Sequence, residues 1–177
     1  MHVRRVVTGL SAEGRSTVVA DGAVPRAHDF AAIPGFSNVT VWSTPTGASL
    51  NDATVDRTGE ISTLLAEPAG TTFFIVRFPP EAAMGAIDPI AAGEELAREL
   101  PGLAESFDVE RPGFHATPSI DHVVILEGEL WLELEEGPET LLRQGDVVIQ
   151  NGTWHAWHNR SNQPAVIAAI SLGVAPE

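Results

Sequence analysis

An all-β protein of short strands is what the sequence predicts, and three observations predict it. Sixteen Gly and 13 Pro cut the 177 residues into short pieces. Most of those pieces carry β-branched or aromatic residues in runs of about four to eight, the pattern of an all-β sandwich or barrel. Within Leu130-Trp131-Leu132-Glu133-Leu134-Glu135, strict alternation puts three leucines on one face of a strand and Trp131, Glu133 and Glu135 on the other.

The first half is predicted to hold strands at residues 3–8, 17–21, 38–43 and 72–78. The second half reads more clearly, with strands at 114–117, 120–127, 130–135, 140–143, 147–150, 155–159 and 165–171, separated by turn residues such as Gly128, Gly145 and Gly152. One helix interrupts the pattern. Asp88 can cap it, Pro89 suits its first position, and Leu96, Leu100 and Leu103 fall on one face before Pro101-Gly102 ends it. Glu94, Glu95, Arg98 and Glu99 are assigned to its solvated side. Residues 23–35 read as a long connection, residues 44–63 are polar and weakly patterned, and His2 and His28 read as surface or loop histidines. No repeat or firm boundary appears, so residues 1–177 are expected to form one domain, with 1–110 an N-terminal extension and 111–174 the core.

Val123-Val124-Ile125-Leu126 and Val166-Ile167-Ala168-Ala169-Ile170 are apolar on both faces. Strands of that kind need cover on both sides, from a second sheet or from another subunit, and a homodimer is the expectation.

Charge narrows the partners. With 24 acidic and 10 basic residues the net charge is −14 and the pI about 4.7, which repels nucleic acid and anionic lipid. The chain has no Cys, which excludes disulfides, thiolate metal sites and a cysteine nucleophile. Any metal must therefore sit on His, Asp and Glu. Met1-His2-Val3-Arg4-Arg5 leads into an alternating segment rather than a signal-type apolar core, and no stretch reaches the roughly 18 apolar residues of a membrane span, so a cytoplasmic protein is expected. Phosphate loops, a Gly-x-Ser-x-Gly elbow and a helical His-Glu-x-x-His are absent.

Two histidines from separate strands, His115 and His155, with Asp121 six residues after the first, make a 2-His-1-carboxylate set, which suits a divalent metal with open coordination positions. Strand alternation turns His122 away from Asp121; it also groups His155 with Trp157, and Trp154 with His158.

The segment Gly145-Asp146-Val147-Val148-Ile149-Gln150-Asn151-Gly152-Thr153-Trp154-His155, with Asn159 four residues on, resembles the second motif of the cupin superfamily. His115-x-Thr117-x-x-x-Asp121, followed by Val123 to Gly128, is similar to the first, and the resemblance spans about residues 113–159. It implies a double-stranded jelly-roll β-barrel with an N-terminal strand extension and one short helix. It also implies a divalent metal (Fe, Mn, Ni or Zn) on His115, Asp121 and His155, which are then the candidate catalytic residues.

Three departures stand out: Thr117 replaces the family's second His, Asp121 replaces its Glu, and the second motif is one residue short, with Gln150 where Pro is usual. Thr117, Gln150, Trp157, Val123, Ile125 and Phe114 are candidates for binding a small, aromatic or carbonyl-containing substrate. The implied chemistry is that of a dioxygenase, isomerase, cyclase or decarboxylase. The alternatives are a metal-free pocket using the same histidines and a non-catalytic small-molecule-binding cupin.

Overall fold

The structure is a computed structural model that describes residues 1–50, 55–85 and 87–175. Its strands are β1 (Arg4–Leu10), β2 (Ser16–Ala23), β3 (Arg26–Asp29), β4 (Ser37–Thr44), β5 (Thr71–Phe78), β6 (Ser119–Glu127), β7 (Glu129–Leu134), β8 (Thr140–Arg143), β9 (Val147–Asn151), β10 (His155–His158) and β11 (Ala165–Gly173), with helix α1 (Pro89–Glu99) between β5 and β6. A six-stranded sheet in the order β3-β4-β5-β11-β6-β9 faces a three-stranded sheet, β10-β7-β8. The strands β1 and β2 pair as a separate ribbon. The two main sheets are bonded separately, so the architecture is an all-β sandwich of the jelly-roll kind.

Inward-pointing side chains of both sheets meet in one cluster: Val123 and Ile125 of β6, Leu130 and Leu132 of β7, Leu142 of β8, and Ala165 and Ile167 of β11. The chain passes from β6 in one sheet to β7 in the other at Gly128, whose φ is +71°. A Cβ there would lie 2.6 Å from the Pro164 carbonyl oxygen. Gly128→Ala is therefore expected to cost about 2 kcal/mol or more, through both left-handed strain and the clash. Urea unfolding checks this, and an unchanged midpoint contradicts it.

A second cluster, Phe30, Leu64, Phe74 and Leu100, joins β5 to α1 and its flanking loops, with Leu96 and Leu103 packed against it. Helix α1 begins as its sequence indicates, with Asp88 accepting from the Ile90 and Ala91 N–H groups. Three expectations need correction here. Glu95 is not on a solvated face. It is 7% exposed, and its carboxylate accepts from the N–H groups of Ala31 (3.0 Å) and Ala32 (2.7 Å) and contacts His28 Nε2 at 2.8 Å. His28 is accordingly no free surface residue. It lies on β3, a strand inside the stretch read as a connection, which forms because it can pair with β4 across Arg26↔Thr40 to Asp29↔Ser37. Four residues between Pro25 and Phe30 carry too little apolar pattern to reveal an edge strand.

The third correction concerns residues 114–117. They form no strand. Gly113 sits at φ +87° and Pro118 has no N–H to give, which leaves His115 alone to bridge its neighbours, Phe107 on one side and His155 on the other.

Candidate functional site

His115 and His155 are brought together by the backbone. Each donates its N–H to the other's carbonyl, at 3.0 and 3.1 Å. In an antiparallel bridge, residues directly opposite one another project to the same side, so both rings enter the same space. Their centroids lie 4.2 Å apart. Phe107 stacks on the outer side of His115 at 4.6 Å, and Trp157, two residues along β10, meets His155 edge-on at 5.7 Å.

Each imidazole is fixed in one tautomer. Nδ1 of His115 faces the Gly113 carbonyl at 3.2 Å and Nδ1 of His155 faces the Thr153 carbonyl at 2.9 Å. A carbonyl only accepts, so the proton sits on Nδ1 and Nε2 keeps its lone pair. Burial, reinforced by the adjacent His155, pushes His115 down to about 4. Burial also lowers His155, against the Thr153 carbonyl and the Asp121 carboxylate, which act to raise it. Both rings are neutral at neutral pH.

Asp121 stands on β6 at the end of a polar row. Thr117 Oγ1 lies 2.7 Å from Ser119 Oγ, which donates to Asp121 Oδ1 at 2.7 Å. Because the Ser119 proton is committed to the carboxylate, Thr117 must be the donor to Ser119, and its oxygen is left free to accept. Residues 117, 119 and 121 fall at a spacing of two, so this row was visible as an alternation of polar side chains; Ser119 is the member that motif matching passes over.

All of this opens on a cavity of about 530 Å³. His115, Thr117, Asp121, Val123, His155 and Trp157 line it. Phe114, Ile125 and Gln150 are not among its lining residues. Phe114 is buried beneath the Arg111 guanidinium, Ile125 belongs to the core between the sheets, and Gln150 donates to Thr153. Much of the remaining wall comes from the first 110 residues, including Phe36, Phe74, Leu96, Leu100 and Leu103. Sequence reasoning missed that wall, because nothing local in those segments marks a pocket rather than a core.

His158 also reaches the cavity, although alternation sets it opposite His155. It closes β10, where its Nδ1 meets Glu81 at 2.8 Å and its Nε2 meets Glu133 at 2.8 Å. Among the described residues, the set of three whose ligand atoms all lie within 4.8 Å of one another is Glu133, Glu139 and His158. Both nitrogens of His158 are taken by carboxylates and Glu139 is paired with Arg160, so that cluster reads as an ion-pair network at the cavity rim. His115, Asp121 and His155 do not form such a set, because Asp121 is turned to Ser119.

Two neutral imidazoles, each with Nδ1 tethered to a carbonyl and Nε2 free, fit a divalent metal in kind; such outer tethers orient metal-binding histidines generally.

Residues 109–171 match the family model described as Cupin domain. Those residues thus carry a cupin domain. Among curated relatives it is 48% identical over 66 residues to Oryzines biosynthesis cluster protein J of Aspergillus oryzae, covering 37% of each chain. It is 48% identical over 56 residues to Phomopsin biosynthesis cluster protein C' of Diaporthe leptostromiformis, covering 29% of this chain and 30% of that one. It is 42% identical over 45 residues to the cupin-domain-containing oxidoreductase virC of Hypocrea virens, covering 25% and 23%. The chain thus matches about a third or less of the length of these relatives. Among the described residues no helix is long and apolar enough to cross a membrane.

Proposed function

We propose that this protein is a metal-dependent cupin enzyme acting on a small aromatic or carbonyl-containing metabolite inside the 530 Å³ cavity. The observation that carries the reading is the His115–His155 pair, two neutral rings at 4.2 Å with both Nε2 lone pairs uncommitted on the cavity wall. A cavity of this volume falls within the roughly 300–1,000 Å³ of small-molecule sites. The oxidoreductase named among the relatives supports the catalytic side of the reading.

His115 and His155 would hold the ion, with Asp121 joining them by leaving Ser119. When bound, a divalent ion supplies Lewis-acid or redox chemistry at a substrate oxygen. The chain's own residues do the rest. Trp157 and Val123 wall the site against water. Thr117 accepts a hydrogen bond from a substrate hydroxyl or N–H and orients it toward the imidazoles. Asp121 takes up or returns a proton through the Ser119 and Thr117 hydroxyls.

Elemental analysis of protein purified without a histidine tag tests this directly. About one equivalent of iron, manganese, nickel or zinc per chain is expected, as is turnover or oxygen uptake with a member of a panel of phenols, diketones and keto acids. A second reading, a non-catalytic binding cupin, draws on Thr117 standing in place of an imidazole and on the Asp121–Ser119 bond. A metal-free preparation that binds aromatic metabolites without forming product would favour it.

We also propose a homodimer through the outer face of the large sheet. Met1, Val3 and Val24 cover that face over β4 and β5. Over β11, β6 and β9 it leaves Ile170, Leu126, Val147 and Ile149 exposed at 41–60%. A dimer by light scattering is expected, converting to monomer in Ile149→Glu. A monomeric wild-type protein at micromolar concentration contradicts this.

A further inference from the structure

The cavity has two halves of different chemistry and different origin. The segment matching the family supplies its polar pole, His115, Thr117, Ser119, Asp121 and His155. The first 110 residues supply an apolar wall in which Phe36, Phe74, Leu96, Leu100 and Leu103 belong to one packed cluster. Charge is distributed just as unevenly. The chain has no Lys, and none of its ten Arg lines the cavity. Its ionisable lining groups are Glu81, Asp121 and the three histidines, and Glu81 is already engaged by His158.

Resting on the reading of this cavity as the substrate site, we propose that the N-terminal wall sets specificity. The substrate has one polar, hydroxyl-bearing end for the imidazole pole and an uncharged hydrocarbon or aromatic body against Phe36, Phe74 and Leu103. A carboxylate, phosphate or sulfonate on that body has no cation to meet. It would be stripped of water against Leu and Phe side chains, at a cost that binding elsewhere does not recover. An ammonium on the body fares no better, since the carboxylates lie at the pole and the rim. A bound metal adds its charge at the pole alone and puts no cation on the wall, but it would accept a carboxylate as ligand, so the wall is probed without metal.

The test is a matched pair measured by calorimetry on the full chain in the presence of EDTA, so that no metal can take the carboxylate as a ligand: 2-naphthol, which is apolar beyond its hydroxyl, and 6-hydroxy-2-naphthoate, which carries a carboxylate at the far end. The naphthol is expected to bind at least about tenfold more tightly than the carboxylate. Leu103→Arg places a cation on the wall and is expected to bring the two within about threefold or reverse their order. Carboxylate binding as tight as naphthol in the wild-type protein overturns the assignment while leaving the cavity as the ligand site. Failure of both compounds to bind overturns the cavity reading itself. If Leu103→Arg does not fold, the wild-type pair alone decides.

Discussion

His155→Ala is expected to abolish metal retention and to lower turnover by at least about a hundredfold, with His115→Ala close behind. The reason lies in the bridge. The two residues exchange both backbone hydrogen bonds, and each ring is aimed by a carbonyl two residues upstream, so removing one imidazole leaves a single nitrogen to hold an ion. The backbone bridge itself survives the substitution, since it uses no side-chain atom. Loss of metal with an unchanged unfolding midpoint is thus the expected signature. Asp121→Asn is expected to be milder for metal retention, because Asp121 is held by Ser119 and reaches the ion only by breaking that contact. Metal analysis of the purified variants against wild type checks all three, and full occupancy in His155→Ala contradicts the assignment.

Glu95→Ala is the change with the largest expected effect on stability. Burial works against ionisation of this carboxyl, but the Ala32 N–H, the His28 ring and the Ala31 N–H outweigh it and bring it down to about 2. Its removal strands two backbone donors and frees the loop that leads from β3 toward β4. The loss is expected to be on the order of 2–3 kcal/mol. The sign with pH follows from linkage. A carboxyl with a lowered native value contributes its stabilisation in full above its unfolded value of 4.5, and loses it as pH falls from there toward 2. The wild-type protein is thus expected to lose stability over that window more steeply than Glu95→Gln, which keeps the shape but has no charge to titrate. Chemical denaturation between pH 3 and 7 checks this; parallel curves for the two proteins would contradict it.

Apart from residues 114–117, the sequence showed the strands of the second half almost to the residue, because their turns fall on glycines held at positive φ, as at Gly128 and Gly145. The same segment carried the family resemblance, and with it His115, Asp121 and His155. What stayed hidden depended on distant contacts. β3 is a strand because β4 lies beside it, and Glu95 is buried because a loop more than sixty residues away brings it two N–H groups. His115 looked like the start of a strand, yet it is one bridging residue between Gly113 and Pro118. That arrangement pins its ring against His155 more firmly than an ordinary strand end would. The N-terminal wall was illegible for a different reason: a leucine that faces a cavity and one that faces another leucine have the same sequence signature.

The most direct test is anomalous diffraction from crystals grown or soaked with Mn²⁺ or Fe²⁺. One strong peak is expected on the cavity wall, shared by Nε2 of His115 and Nε2 of His155. A peak only among Glu133, Glu139 and His158, or none in the cavity at saturating metal, would contradict it.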